Sequence, residues 1–237
     1  MSKERERFPT QSSQADVDSF LRKVSASPRI KRGQGRGRLI FGLDATASRE
    51  PTWDRACDIQ AKMFGETASL GGLDIQLCFY RGFREFQATP WLSDSGELLQ
   101  RMTRVVCAAG KTQIRRLLRH AIAEASRGKV DAAVFVGDCM EEDLDAVCAT
   151  AGELGLLGVP IFLFHEGYDA VAERAFREVA RLTRGAYCRF DAASPDQLRD
   201  LLSAVAVYVA GGRQALTDFG QRRGGVALQL THQLDKS

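Results

Sequence analysis

The sequence predicts a doubly wound α/β domain: a mostly parallel central sheet with one antiparallel edge strand and helices on both faces. Three observations carry this. Short apolar runs rich in strand formers alternate with longer segments whose apolar residues recur at helical spacing. The runs 38–44 (RLIFGLD), 131–137 (DAAVFVG) and 160–164 (PIFLF) are apolar almost without interruption, as strands covered on both faces must be. The run 73–80 (LDIQLCFY) is followed, after Arg81-Gly82-Phe83, by 84–91 (REFQATPW), the arrangement of a hairpin whose second strand lies at an edge.

Taken in order, 38–44 is a buried strand. A helix over 52–70 follows, with Trp53, Ala56, Cys57, Ile59, Gln60, Met63 and Phe64 as its broad stripe. The hairpin 73–91 comes next, then a helix over 97–106 opened by Ser93 or Ser95 as N-cap. The segment 113–126 is helical, with Ile114, Leu117, Leu118, Ala121, Ile122 and Ala125 on one face. Strands at 131–137, 160–164 and 186–190 alternate with helices at 143–154, 169–183 and 195–209. Gly185 ends the second of these helices and Pro195 opens the third. The order βαββααβαβαβα is that of a Rossmann-like sheet. Ligands of such sheets bind beyond the carboxyl ends of the strands, where the strand order reverses.

The composition fits one sizeable core, with 237 residues, 44% of them hydrophobic and 27% charged. A net charge of +3 gives no argument for nucleic acid or membrane. No window approaches the roughly 18 uninterrupted apolar residues of a membrane span. The first residues, polar and charged, do not read as a signal peptide. Six cysteines without a C-x-x-C pair, most within apolar runs, read as reduced thiols of a cytoplasmic protein rather than a zinc or disulfide framework. Residues 1–37 read as a flexible basic arm, 38–212 as the domain and 213–237 as a tail. Within the arm, Val17, Phe20, Leu21 and Val24 have the spacing of a short helix, and IKRGQGRGR reads as a linker or a contact for RNA or an acidic partner. In the tail, 226–234 (VALQLTHQL) reads as a segment that docks on the domain or contacts a partner.

Residues that end strands carry the chemistry. The first strand runs into Asp44-Ala45-Thr46-Ala47-Ser48, a carboxylate and two hydroxyls two residues apart. Oxygen groups turned toward one point suit a hard cation such as Mg²⁺. The same residues also suit a cap on the following helix. Asp138 ends the buried strand 131–137 at the same sheet edge, where it is a metal ligand or a helix cap. Gly110-Lys111-Thr112 looks like the end of a phosphate-binding loop, G-x-x-x-x-G-K-[ST]. The first glycine would fall at Val105, and a helix rather than a strand precedes the loop, so that reading fails. Thr112 is left as one more hydroxyl in a loop between helices. His165 and Glu166 follow PIFLF at the same edge, as loop residues or as part of a partner surface. Trp53 reads as core or as a contact anchor beside Ser48.

Asp44, Thr46, Ser48, Thr112 and Asp138, in this order on this topology, resemble the von Willebrand factor A (VWA) domain and its metal-ion-dependent adhesion site (MIDAS). That site reads D-x-S-x-S, then a threonine in a later loop, then an aspartate ending the next strand; here Thr46 stands for the first serine and keeps its hydroxyl. The resemblance covers about 38–212. It implies that Thr46, Ser48 and Thr112 place hydroxyls on Mg²⁺ (or Mn²⁺), directly or through water, while Asp44 and Asp138 hold coordinated waters. It also implies that a partner protein's Asp or Glu takes the open position and that the metal is not a catalyst. Intracellular members often serve in multiprotein assemblies, including chaperone-like complexes with ATPases. The alternative is a haloacid-dehalogenase-like phosphatase with Asp44 as nucleophile and Asp138 or Asp143 on Mg²⁺. Against it, Thr46 stands where that family usually carries a second Asp, and Thr112 lies between helices rather than ending a strand.

Overall fold

The computed structural model describes residues 14–27, 36–49, 72–190 and 195–223. The expected helix over 52–70, with Trp53, and the docking segment 226–234 lie outside the described residues. The sheet has six strands: β1 (Gly37–Asp44), β2 (Leu73–Arg81), β3 (Glu85–Ala88), β4 (Ala132–Gly137), β5 (Ile161–Glu166) and β6 (Ala186–Phe190). Their order is β3-β2-β1-β4-β5-β6, and every pairing is parallel except β2 with β3. This is the predicted sheet, with its antiparallel strand at one edge.

Strand alternation divides the core in two. Leu39, Phe41 and Leu43 face one layer, together with Ile75, Val134, Phe162 and Phe164. The opposite face carries Ile40, Tyr80, Ala133, Phe135, Ile161 and Leu163. That second face is covered by α3 (Ile114–Arg127), α4 (Leu144–Leu156) and α5 (Ala170–Leu182). The first is covered by α1 (Gln14–Ala26), α2 (Ser95–Met102) and α6 (Pro195–Arg223). Gly42 lets α3 approach β1 closely, because an added Cβ would sit 2.4 Å from a Leu117 methyl.

Several boundaries differ from expectation for physical reasons. The helix expected at 97–106 is Ser95–Met102, and its N-cap is Asp94, whose carboxylate accepts from Glu97 N at 2.8 Å, not Ser93 or Ser95. Asp143 and Asp169, expected inside their helices, are caps too, accepting from Ala146 N and Ala172 N. The last helix runs on to Arg223, broken at Gly212 (φ 71°, ψ −164°), and Ala215, Leu216 and Phe219 beyond the break are buried. The segment expected to be a tail from 213 therefore begins as core. So does part of the expected arm: Val17, Phe20, Leu21 and Val24 of α1 are buried against the sheet, with the Phe20 ring 5.1 Å from Phe164 and 6.2 Å from Phe162. A helix with four large apolar residues on one face gains more by covering a sheet than by staying in water.

The basic stretch behind α1 is also partly committed. Arg36 bonds Asp74 at 2.8 Å and the carbonyls of Leu73 and Ser93. The Arg38 guanidinium lies 3.8 Å from the Trp91 ring centre. Those two charges hold the amino ends of β1 and β2.

Replacing Phe20 by Ala is expected to cost about 3–5 kcal/mol in chemical denaturation; a cost near zero would return α1 to the arm. His120 supplies a pH-dependent term. It is half-buried with Nε2 2.9 Å from Gln76 Oε1, and burial holds its pKa below the ordinary value. The unfolded chain therefore takes the proton first as pH falls below about 6.5, and stability drops with it. His120→Asn is expected to lose less stability than the wild type between pH 7.5 and 5, read as the shift in urea midpoint.

Candidate functional site

β1 is the point where strand order reverses: it pairs with β2 on one side and β4 on the other. The chains leaving β1 and β4 part there, and Asp44 and Asp138 stand at the mouth of the crevice. Asp44 is fully buried. Its Oδ1 accepts from Thr46 N at 2.8 Å and its Oδ2 from the Tyr80 hydroxyl at 3.0 Å. Burial above all, with the neighbouring Asp138 charge, raises its pKa; the Thr46 and Tyr80 hydrogen bonds work against that.

The Thr46 and Ser48 hydroxyls are 3.1 Å apart. Ligand atoms of Asp44, Asp138 and Cys139 lie within 4.8 Å of one another. Asp138 Oδ1 is buried with no hydrogen-bond partner. Two carboxylates this close, one with an orphaned oxygen and the other beside Thr46, form an acidic group of the kind that holds a divalent cation. Cys139 Sγ stands at the same point, its thiol pushed up by burial and then by the charges of Asp138 and Asp44, so it is a neutral neighbour there.

The structure thus brings Asp44 to Asp138 on one side and to Thr46 on the other, with Ser48 against Thr46. Thr112 reaches the same edge by another route. Its loop is tied to the β1 loop by Ala108 N to Ala45 O at 3.1 Å and by a bridge between Thr46 and Ala108. Thr112 is buried, and its contacts are to Glu141: its hydroxyl accepts from Glu141 N at 3.0 Å, and its N donates to Glu141 Oε2 at 3.2 Å. Gly110 has a packing role, since an added Cβ would sit 1.9 Å from the Gly82 carbonyl oxygen.

Three further residues, Tyr80, Glu141 and Glu142, build the site without a local signal in the sequence. Tyr80 is the buried donor to Asp44, and its ring stacks on Phe135 with centres 6.2 Å apart. Glu141 holds Thr112. Glu142 accepts from the backbone N of Ile114 and, at 3.1 Å, of Arg115, at the start of α3, whose own N-cap Gln113 makes no side-chain cap. A carboxylate from the β4 loop thus caps a helix that begins about thirty residues earlier. His165 corrects an expectation: it is buried in β5 rather than on a loop surface, with Nδ1 3.0 Å from the Tyr187 hydroxyl and Nε2 3.3 Å from the Asp138 carbonyl oxygen. It fixes the backbone of Asp138 from behind. Asp143, the second metal candidate of the phosphatase alternative, is occupied in capping α4.

No protein-family model matches the sequence, and no curated protein matches it. Solved structures do share the fold. The VWA domain of SpRpn10 superposes with a TM-score of 0.56 at 12% identity, over 75% of this chain and 97% of that one. A von Willebrand factor type A protein from Catenulispora acidiphila gives a TM-score of 0.60 at 13% identity, over 77% and 43%. Proximal thread matrix protein 1 from the mussel byssus, with a zinc-occupied MIDAS motif, gives 0.57 at 13%, over 73% and 46%. The chain spans nearly all of the first and less than half of the other two. The chain has the VWA fold. None of the five described cysteines is in a disulfide, and no helix among the described residues is long and apolar enough to cross a membrane.

Glu142→Gln is expected to cost about 1–3 kcal/mol in denaturation, because two backbone N–H groups lose a charged acceptor. An unchanged midpoint would mean that water caps α3 equally well.

Proposed function

We propose that the chain is a divalent-metal-dependent protein-binding module. Asp44, Thr46, Ser48, Thr112 and Asp138 hold Mg²⁺, or Mn²⁺, and an Asp or Glu of a partner protein completes the site. One observation carries this: the carboxylates of Asp44 and Asp138 converge from adjacent strands, with an Asp138 oxygen buried and unpartnered. The bound ion supplies an open position for an anionic oxygen. The residues do the rest. Tyr80 and the Thr46 backbone fix the Asp44 carboxylate, His165 fixes Asp138, and Glu141 fixes Thr112.

The surroundings of the site suit a protein partner. Phe83 (73% exposed) follows β2, Tyr168 follows β5, Val171 opens α5, and Val106 (65% exposed) lies two residues before the Ala108 bridge to Thr46. All four lie at or near the carboxyl ends of the strands. Exposed apolar side chains around a polar centre are how protein interfaces gain affinity around a specific contact. By its resemblance to intracellular VWA proteins, the module belongs to a cytoplasmic assembly, with an ATPase or chaperone complex as one setting.

Titration calorimetry with Mg²⁺ and Mn²⁺ tests the reading against Asp44→Asn and Asp138→Asn. The wild type is expected to bind, and at a hundredfold excess over Kd to gain about 2.7 kcal/mol of stability. Both variants are expected to lose binding, and none of the three proteins to hydrolyse p-nitrophenyl phosphate. Turnover that disappears with Asp44→Asn would instead establish the phosphatase. A wild type that binds neither ion would remove the metal from the reading.

A further inference from the structure

A second surface lies at the far edge of the sheet. β6 is the outermost strand and pairs only with β5 among the described strands. α1 covers one face of the sheet beside it and α5 the other. A groove of about 470 Å³ is lined from both helices at once, by Lys23 and Ala26 of α1, by Arg177, Ala180 and Arg181 of α5, and by Arg184, Gly185 and Tyr187 at the start of β6. A smaller cavity of about 60 Å³ continues it along Cys188 and Arg189 toward Asp16. A groove walled by helices from opposite faces of a sheet lies off the sheet's edge, so its floor is the edge of β6.

The charge of the walls is one-sided. Four cations and no acid line the larger part. Arg177 and Arg181 are partly balanced by Glu173 at 2.8 Å and Glu178 at 2.5 Å. Lys23 and Arg184 have no side-chain hydrogen bond or ion pair among the described residues and are exposed. Arg184 also sits at φ 56°, a backbone conformation that glycine adopts without penalty and arginine does not. The Ser27 hydroxyl holds its carbonyl at 3.0 Å.

We propose that this groove takes an acidic extended segment of a partner protein, laid along β6 as a further strand. An added strand presents side chains alternately to its two sides. Acids on one side meet Lys23, and acids on the other meet Arg177 and Arg181. The lining residues Ala26, Ala180 and Gly185 are small, which lets a backbone come close. Single-stranded nucleic acid fits less well. The groove's one aromatic, Tyr187, is 6% exposed, with the Arg177 guanidinium 4.4 Å from its ring centre and its hydroxyl on His165, so it has no free face for a base. Residues 28–35, which follow Ser27 in the chain, carry Arg29, Lys31 and Arg32 and no acid, a charge unlike that of the proposed occupant. The surface is separate from the metal-dependent reading and needs no ion.

Fluorescence anisotropy on the full chain, in the presence of EDTA, tests this with four labelled probes. They are a short peptide alternating Glu with Val, its Lys-Val counterpart, the Glu-Val peptide N-methylated on alternate residues, and oligothymidylate. The Glu-Val peptide is expected to bind, more weakly as salt rises, and the Lys-Val and N-methylated peptides are not. Lys23→Glu and Arg184→Gly are each expected to weaken binding several-fold and together at least tenfold, while Asp44→Asn leaves it unchanged. Arg184→Gly removes the charge and relieves the backbone, so it reports on the groove even where Lys23→Glu misfolds. Equal binding by the N-methylated peptide, affinity indifferent to Arg184→Gly, or oligothymidylate binding more tightly with the same dependence on Arg184 would each overturn the proposal. Because EDTA is present throughout, failure here leaves the metal reading standing, and failure of the metal reading leaves this one.

Discussion

A carboxylate without exposed surface governs the carboxyl edge of this sheet. Asp44 ends a strand that is apolar from Leu39 to Leu43, and its burial opposes its charge. Such a group persists only when donors surround it. One donor is local, the backbone of Thr46, and fixes how the chain turns out of β1. The other is Tyr80, opposite Asp44 in the β1–β2 register, and its ring must stack on Phe135 of β4 to be there. Gly137 completes the arrangement, since an added Cβ would be 2.7 Å from the Phe135 ring and 3.5 Å from Asp44 Cβ. Three strands are thereby tuned to one anion.

Asp138 makes that anion harder to keep. Its charge adds to the repulsion on Asp44, and one of its oxygens has no partner. Nothing about folding alone calls for a second acid here. His165 holds the Asp138 backbone, and Glu141 and Glu142 hold the loop that carries Thr112, so the surrounding elements commit hydrogen bonds to keeping these groups in place. Local conflict supported by a rigid frame is characteristic of functional sites. In the proposed reading a bound cation would relieve it, which would put the chemistry at this edge rather than the opposite one.

The sheet is legible in the sequence because its strands are buried on both faces and so spell continuous apolar runs, as in RLIFGLD and DAAVFVG. Asp44 and Asp138 are legible because an acid ending such a run is conspicuous. Thr46 and Ser48 follow from spacing. What stays hidden is non-local. Glu142 caps a helix that precedes it in the chain, and only the fold brings the two together. Tyr80 reads as one more strand aromatic until its register with Asp44 is known. His165 reads as a loop residue because the apolar run ends at PIFLF, whereas pairing with β6 carries β5 on to Glu166. The first helix reads as part of a basic arm because charged residues flank it, although its own apolar face has the spacing of a packed helix. Flanking charge and internal periodicity point in opposite directions there, and burial follows the periodicity.

The two proposed surfaces would each take a carboxylate, but by different physics. At the strand ends the proposed attraction is concentrated in one bound ion at short range, which a chelator would remove. Along β6 it is spread over arginine and lysine side chains in water, where added salt screens each contribution beyond about 8 Å at physiological ionic strength. Backbone pairing at a sheet edge is indifferent to both. A partner that used the metal alone would be released by chelation at any salt. One that used the groove alone would weaken with salt, yet keep the part of its affinity that comes from main-chain hydrogen bonds. If both proposals hold, the same acidic composition in a partner separates into two binding modes by solution conditions alone, once through a metal site and once through a strand edge.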